Sequence, residues 1–265
     1  MTNTDVIENS SLPRLFVDAA LRLDAVVTLG PEQTHYLLRV MRCAVGSSVQ
    51  VFNGRDGLWL AEIDGHDRRR AGLRMRQQLQ RQMRVDGPWL AFGVPKRPAL
   101  ELILQKGTEL GVTKFIPVAT QRSFSERLNP ERMERIVIEA AEQCERLDVP
   151  EVTPSWRLAD FLKEWPAERA LLWCDESGLG IPIADALDSL FDEDDDTAPP
   201  RSWGLMIGPE GGFALGELDG IAELPFVTRV ALGPRILRAE TAAIAALAIG
   251  QAIAGDGDIQ VRGQG

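Results

Sequence analysis

The chain has 265 residues, 45% hydrophobic and 26% charged, enough for one large or two modest domains and ordinary for a globular protein. Its net charge of −10 argues against a uniformly basic nucleic-acid binder, but residues 1–87 hold 12 Lys and Arg against 10 Asp and Glu, while residues 88–265 hold 17 against 29. The basic part of the chain is the N-terminal part. Cys43, Cys144 and Cys174 lie far apart with no CxxC pair, which argues against a zinc site or a disulfide framework and fits a reducing cytoplasm. The longest apolar run, Thr241 to Gly255, is interrupted by Gln251 and too short to span a bilayer, so it reads as a buried helix. The first residues have neither a basic region nor an apolar core and do not read as an export signal.

The N-terminal segment reads as a series of short strands over Arg14 to Asp18, Ala25 to Leu29, Ser48 to Asn53 and Leu58 to Asp64, with NGRDG (Asn53 to Gly57) as a hairpin turn. Between them, Pro31 and Glu32 open a helix whose apolar positions Tyr36, Leu37, Val40 and Met41 follow helical spacing. His35 in that helix reads as a packing or structural residue. Arg68 to Arg84 carries seven arginines and no acid, either a positive surface or a solvated edge. A β-rich, barrel-like domain is expected over residues 1–87.

From Trp89 onward strands and helices alternate. Strands are expected at Trp89 to Val94, Lys114 to Ala119, Arg169 to Cys174, Trp203 to Gly208 and Val227 to Leu232. One helix has Pro98 near its start and Gly111 at its end; another has Asn129 as its cap and Pro130 in its first position. This alternation over residues 88–265 predicts an α/β domain with a mostly parallel sheet. The acidic stretch Asp192 to Pro200 reads as a surface loop.

Two glycine-rich turns follow successive strands. IGPEGGF (Ile207 to Phe213) surrounds the carboxylate of Glu210 with three glycines and a proline, and LGPRILRAETA (Leu232 to Ala242) opens the last helix. Ligands bind at the carboxyl ends of strands in parallel sheets, so two turns rich in backbone N–H groups can cradle a polar ligand. Tight turns that serve only the chain's own geometry explain either one alone. No GxGxxG follows the first α/β strand and no GxxxxGK[ST] is present, which disfavours a Rossmann or P-loop site. The only histidines, His35 and His66, lie in the N-terminal domain, leaving no histidine triad or histidine metal site for the α/β domain.

These two turns, together with QKGTELGVTKFIPV (Gln105 to Val118), EAAEQCER (Glu139 to Arg146) and HYLLRVMR (His35 to Arg42), resemble the SPOUT, or trefoil-knot, RNA methyltransferases, specifically the bacterial family that methylates N3 of a uridine in 16S ribosomal RNA. The likeness spans nearly the whole chain in order, with departures in the hairpin Phe52 to Trp59 and in the acidic insertion. It implies a knotted C-terminal parallel-sheet domain, a PUA-like β-barrel N-terminal domain, a cytoplasmic homodimer without a membrane anchor, and the small-subunit RNA as partner. It also implies S-adenosylmethionine as cofactor, without a metal, held among three loops. The expected contacts are Leu172, Cys174, Asp175 and Glu176 on the first, Ile207, Gly208, Pro209, Gly211 and Gly212 on the second, and Leu232, Gly233, Ile236, Leu237, Arg238, Thr241 and Ala242 on the third.

Methyl transfer from a sulfonium is an in-line displacement, so alignment and charge tuning are the protein's tasks. Uracil N3 is a poor nucleophile until it loses its proton. A cation beside O2 or O4 favours the anion, and Arg238 is the candidate; Glu210 or Glu240 is the candidate base, each with a simple helix-capping role as the alternative. Arg39, Arg42, Lys96 and Arg97 are expected as RNA contacts, and the resemblance adds Gln143 and Arg146 as residues facing the RNA or the dimer, with a solvated helix face as the default explanation of the latter two. Two rival readings remain at this level: a knotted methyltransferase acting on a transfer-RNA ribose 2′-hydroxyl, and a non-catalytic RNA-binding protein on the same fold.

Overall fold

The computed structural model describes residues 12–67, 69–83, 85–123, 128–191 and 202–255; the acidic stretch at 192–200 and two residues of the arginine run, at 68 and 84, lie outside these. The chain divides into two compact units. One comprises the residues up to Val85 together with Ala141–Val149; the other comprises Asp86–Ala140 and the chain from Pro150 on.

In the N-terminal unit, β1 (Arg14–Phe16), β2 (Val26–Thr28), β3 (Ser48–Phe52), β4 (Leu58–His66) and β5 (Ala71–Gln80) form a sheet in the order β1-β3-β4-β5-β2. The β1–β3 pair is parallel and the other pairs are antiparallel. Among the described residues the path ends at β1 and β2 without hydrogen bonds closing a ring. The arginine run proves to contain a strand, β5: Ala71, Leu73 and Met75 are fully buried, while Arg74 and Arg76 point the other way with period two. These two arginines pair with Asp64 at 2.8 Å and Glu62 at 2.9 Å on β4, which neutralises the middle of the run.

The β3–β4 turn is built on Asn53. Its Oδ1 accepts from the N–H groups of Arg55 (3.0 Å) and Asp56 (2.8 Å), and its Nδ2 donates to Ala19 O (2.8 Å). The segment Ala141–Val149 is anchored on β1: Phe16 N–H donates to Glu142 Oε1 at 2.8 Å, and Arg14 donates to the carbonyl oxygens of Glu145 (2.6 Å) and Arg146 (3.3 Å). Helix α1 (Pro31–His35) runs into a π-helical turn, Tyr36–Val40, whose carbonyl at Tyr36 accepts from Met41 N–H at 2.9 Å. His35 is exposed here and not packed, because the turn directs Leu37 into the core instead.

The second unit contains β6 (Trp89–Gly93), α2 (Arg97–Glu109), β7 (Lys114–Ala119), α3 (Pro130–Gln143), β8 (Glu151–Val152), β9 (Trp156–Arg157), α4 (Leu158–Glu164), β10 (Ala170–Cys174), β11 (Ile181–Pro182), α5 (Ile183–Leu190), β12 (Trp203–Ile207), α6 (Leu215–Ala222), β13 (Val227–Ala231) and α7 (Ala239–Ala254). The strands follow the order β11-β13-β10-β12-β6-β7-β8, with β9 also on β7, and every pair is parallel. Asn129 Oδ1 accepts from Arg132 N–H at 3.0 Å, as a helix cap should. Helix α7 buries Ala242, Ala243, Ala246, Leu247 and Gly250 along one face, and its Gln251 side chain donates to Leu110 O at 2.8 Å. Among the described residues no helix is long and apolar enough to cross a membrane.

Candidate functional site

All strands of the second sheet point the same way, so their carboxyl ends share one edge. β10 pairs with β12 on one side and β13 on the other, with Cys174 in register with Ile207 and Val230. The loops that leave Cys174, Ile207 and Ala231 are therefore immediate neighbours. Sequence spacing cannot show this adjacency, because the strands involved are not consecutive.

The glycines of the Ile207 to Phe213 turn answer to close approaches by the protein's own chain. A methyl group at Gly208 would lie 2.9 Å from the Phe213 ring, which itself packs edge-on against Trp173 at 5.9 Å. Gly212 has φ +67°, its N–H donates to Pro209 O at 2.9 Å, and a methyl group there would lie 2.5 Å from Glu176 Oε1. Arg122 donates to the carbonyl of Gly211 at 3.2 Å. Helix α6 after the turn is capped by Glu217, which accepts from Ala214 N–H at 2.8 Å and from Gln121 N–H at 2.9 Å.

Glu210 is exposed, and its Oε1 accepts from Lys96 N–H at 3.3 Å. It therefore sits at the N-terminus of α2 and not of its own helix, a position the helix dipole favours for a carboxylate. Glu240 lies half-buried in the first turn of α7. Arg238 is the residue immediately before α7; it is exposed, and its guanidinium makes no hydrogen bond or ion pair among the described residues.

On the first loop, the Asp175 side chain is only 4% exposed and already satisfied: its carboxylate accepts from Ser177 N–H (3.1 Å) and the Ser177 hydroxyl, and pairs with Arg229 at 3.5 Å. Leu172 is buried within β10 and Ile207 at the end of β12, so neither side chain reaches the edge surface. Burial pushes the Cys174 thiol up to about 12, which keeps it a neutral thiol. Pro209 and Gly212 are buried, whereas the parts of these loops open to a ligand are Glu176, exposed Glu210 and Gly211 with half-buried Gly208, and the third loop. There Gly233 has φ +100°, Leu232 and Leu237 are half-buried, Ile236 is 83% exposed, and Thr241 is exposed ahead of buried Ala242.

The expected RNA contacts divide. Arg39 and Arg42 are exposed in the N-terminal unit, and Arg42 has the left-handed φ of +56°. Arg97 is exposed but paired with Glu101 at 3.1 Å, and Lys96 stands at the start of α2. Gln143 is exposed. Arg146 corrects the expectation: its side chain is 12% exposed and paired with Asp148, with Nε to Oδ1 at 3.1 Å, because the chain turns at Glu145 (φ +65°) and folds it inward. Sequence reasoning missed Arg122 and Glu217, whose contacts depend on the loop after β7 meeting the β12 loop. No group of three or more His, Cys, Asp or Glu suited to a metal ion occurs among the described residues.

Comparison with known proteins adds relatives to this geometry. Residues 86–251 match a family model described as an RNA methyltransferase domain, and residues 29–71 match one described as an RNA methyltransferase PUA domain. The chain is 32% identical over 236 residues to ribosomal RNA small subunit methyltransferase E of Rickettsia conorii, covering 89% of this chain and 93% of the relative. It is similar to the crystal structure of a ribosomal RNA small subunit methyltransferase E from Neisseria gonorrhoeae bound to S-adenosylmethionine, with a TM-score of 0.74 and 28% identity over 91% of this chain and 97% of the other. A methyltransferase from Legionella pneumophila in complex with the same cofactor gives a TM-score of 0.75 at 26% identity, again over 91% of this chain and 97% of the other. With a parallel α/β sheet, a PUA-like N-terminal unit and a family match over more than half its length, the chain belongs to the RNA methyltransferase family.

Proposed function

We propose that the protein transfers a methyl group from S-adenosylmethionine to N3 of a uridine in 16S ribosomal RNA, acting in the cytoplasm on the small ribosomal subunit or its RNA. The observation that carries this reading is the adjacency of three loops at one sheet edge, with the unpaired guanidinium of Arg238 among them, in a chain of this family.

The residues present fit the cofactor. Exposed Ile236 with Leu232 and Leu237 offers an apolar face for adenine, exposed Gly211 and Gly233 offer backbone without side-chain bulk, and Glu176 offers a carboxylate to a cationic ligand. When bound, S-adenosylmethionine supplies an electrophilic methyl group. The chain's own tasks are to hold the uracil in line, to stabilise negative charge on its carbonyl oxygens through Arg238, and to receive the N3 proton on a carboxylate. Glu240 is the freer acceptor, since Glu210 already accepts from Lys96 N–H. A separate N-terminal unit, its boundary at Val85 and Asp86 and not at the expected 87 and 88, holds RNA through Arg39 and Arg42 and supplies binding energy from outside the reacting centre to turn the base out of its stack.

A trefoil knot and a homodimer complete the proposal. The knot is supported by the interleaving of late and early strands in the order β13-β10-β12-β6. The dimer is supported by the outer face of α7, where Ile244, Ala245, Ile249 and Ile253 are only half-buried, and is checked by light scattering on the purified protein. Arg238→Ala tests the chemistry: kcat for RNA methylation should fall by about a hundredfold or more while the Kd for S-adenosylmethionine stays within about threefold. Equal losses in both would remove Arg238 from its role. Between the carboxylates, Glu240→Gln should lower kcat more than Glu210→Gln, and the reverse order would exchange their roles.

A further inference from the structure

A pocket of about 460 Å³ opens in the N-terminal unit between the α1 and π-helical segment on one side and the β4–β5 turn on the other. Both histidines of the chain, His35 and His66, line it, together with Leu38, Arg39, Cys43 and Asp67. Leu38 and Cys43 are half-buried and the other four are exposed, which gives an apolar floor and polar, aromatic walls. The His, Cys and Asp groups are not placed to share one metal ion.

Of the described arginines of this unit before Val85, three pair with carboxylates and four gather at the pocket, while Arg22 and Arg81, also without a side-chain partner among the described residues, are not within three residues of its lining. Arg55, Arg74 and Arg76 are paired with Asp18, Asp64 and Glu62. Arg39, Arg42, Arg69 and Arg70 make no side-chain hydrogen bond or ion pair among the described residues, and each lines the pocket or lies within three residues of one that does. The backbone is shaped to hold this arrangement. Asp67 Oδ1 accepts from the N–H groups of Arg69 (2.7 Å) and Arg70 (2.8 Å), fixing the turn that carries them and holding its carboxyl below the usual carboxylate range. The other wall is a π-helical turn followed by Arg42 at φ +56°, two departures from ordinary backbone that concentrate at functional positions. Tyr36, the only tyrosine of the chain, is 38% exposed on the same turn.

We propose that this pocket takes one unstacked nucleotide of single-stranded RNA, with its base against the His35 and His66 rings and Leu38 and its phosphate on Arg39, while Arg42, Arg69 and Arg70 follow the neighbouring backbone. Imidazole rings stack with bases, unpaired guanidinium groups neutralise phosphates, and Asp67 Oδ2 is an acceptor for an exocyclic amino group. The proposal deepens the reading of the protein as an RNA-modifying enzyme and rests on it for the class of ligand.

The test is fluorescence anisotropy of the full-length protein with a fluorescein-labelled single-stranded RNA of about twelve nucleotides and with the matching duplex. His35→Ala combined with His66→Ala should weaken single-strand binding about tenfold or more with an unchanged salt slope, and should leave duplex binding nearly as it was. Arg39→Ala should reduce the salt slope by about one. Arg74→Ala, which removes an equal charge from a paired position, should leave single-strand binding unchanged. Single-strand affinity untouched by the double histidine substitution would overturn the proposal, as would equal losses on single strand and duplex, which indicate a backbone track with no base pocket. Calorimetry with S-adenosylmethionine separates this result from the methyl-transfer reading. Wild-type protein that binds RNA through the histidines but not the cofactor would retain the pocket and sink that reading; cofactor binding with histidine-independent RNA binding would do the opposite.

Discussion

Gly212→Ala would put a methyl group against Glu176 and an L side chain at φ +67°, so about 1–2 kcal/mol of stability should be lost in urea denaturation, with weaker S-adenosylmethionine binding. Unchanged stability would mean that the turn relaxes freely. Cys174 gives a prediction with a definite sign in pH. Its thiol is raised from 9.0 to about 12 by burial, so between these values the unfolded chain loses a proton that the folded chain keeps. Stability should therefore decline as pH rises through that window, and Cys174→Ser should remove part of the decline. At this scale the sequence made the turn legible, because glycine and proline announce constrained backbone. It could not reveal which polar side chains are already taken: Asp175 by Ser177 and Arg229, Arg146 by Asp148. Asp175 meets Arg229 only once β10 and β13 pair, and Arg146 meets Asp148 beyond the left-handed turn at Glu145, neither of which residue types alone announce.

At the scale of elements, α7 is held where Gly250 lets the Trp203 indole approach it closely; a methyl group there would sit 2.2 Å from the indole ring. Gly250→Ala should destabilise the protein by about 1–3 kcal/mol despite alanine's better helix propensity, as measured by thermal or urea unfolding, and a stabilised variant would contradict the packing. Strands β6, β7, β10 and β12 were legible as apolar runs because strands buried on both faces have no polar face to show, while β13 was legible from its β-branched residues. β5 was hidden in its arginines, since its outward residues pair with β4 carboxylates and its inward residues are few and small in number beside seven charges. The two-residue strands β8, β9 and β11 carry too little periodicity to be read at all.

For the whole molecule, a net charge of −10 and RNA as substrate are reconciled by uneven distribution: the excess acid lies after residue 87, and unpaired arginines cluster in the N-terminal unit. RNA affinity should thus fall steeply with salt even though the protein is acidic, a dependence read from binding isotherms at several salt concentrations. Methyl transfer to RNA can be measured on the isolated protein. Purified protein should be incubated with methyl-labelled S-adenosylmethionine and, separately, small ribosomal subunits, naked 16S RNA and transfer RNA, followed by nucleoside mass spectrometry. Label is expected in 3-methyluridine from small-subunit RNA and none in transfer RNA. Label in a 2′-O-methylated transfer-RNA nucleoside, or no transfer to any RNA by a folded protein that binds the cofactor, would contradict the proposed function.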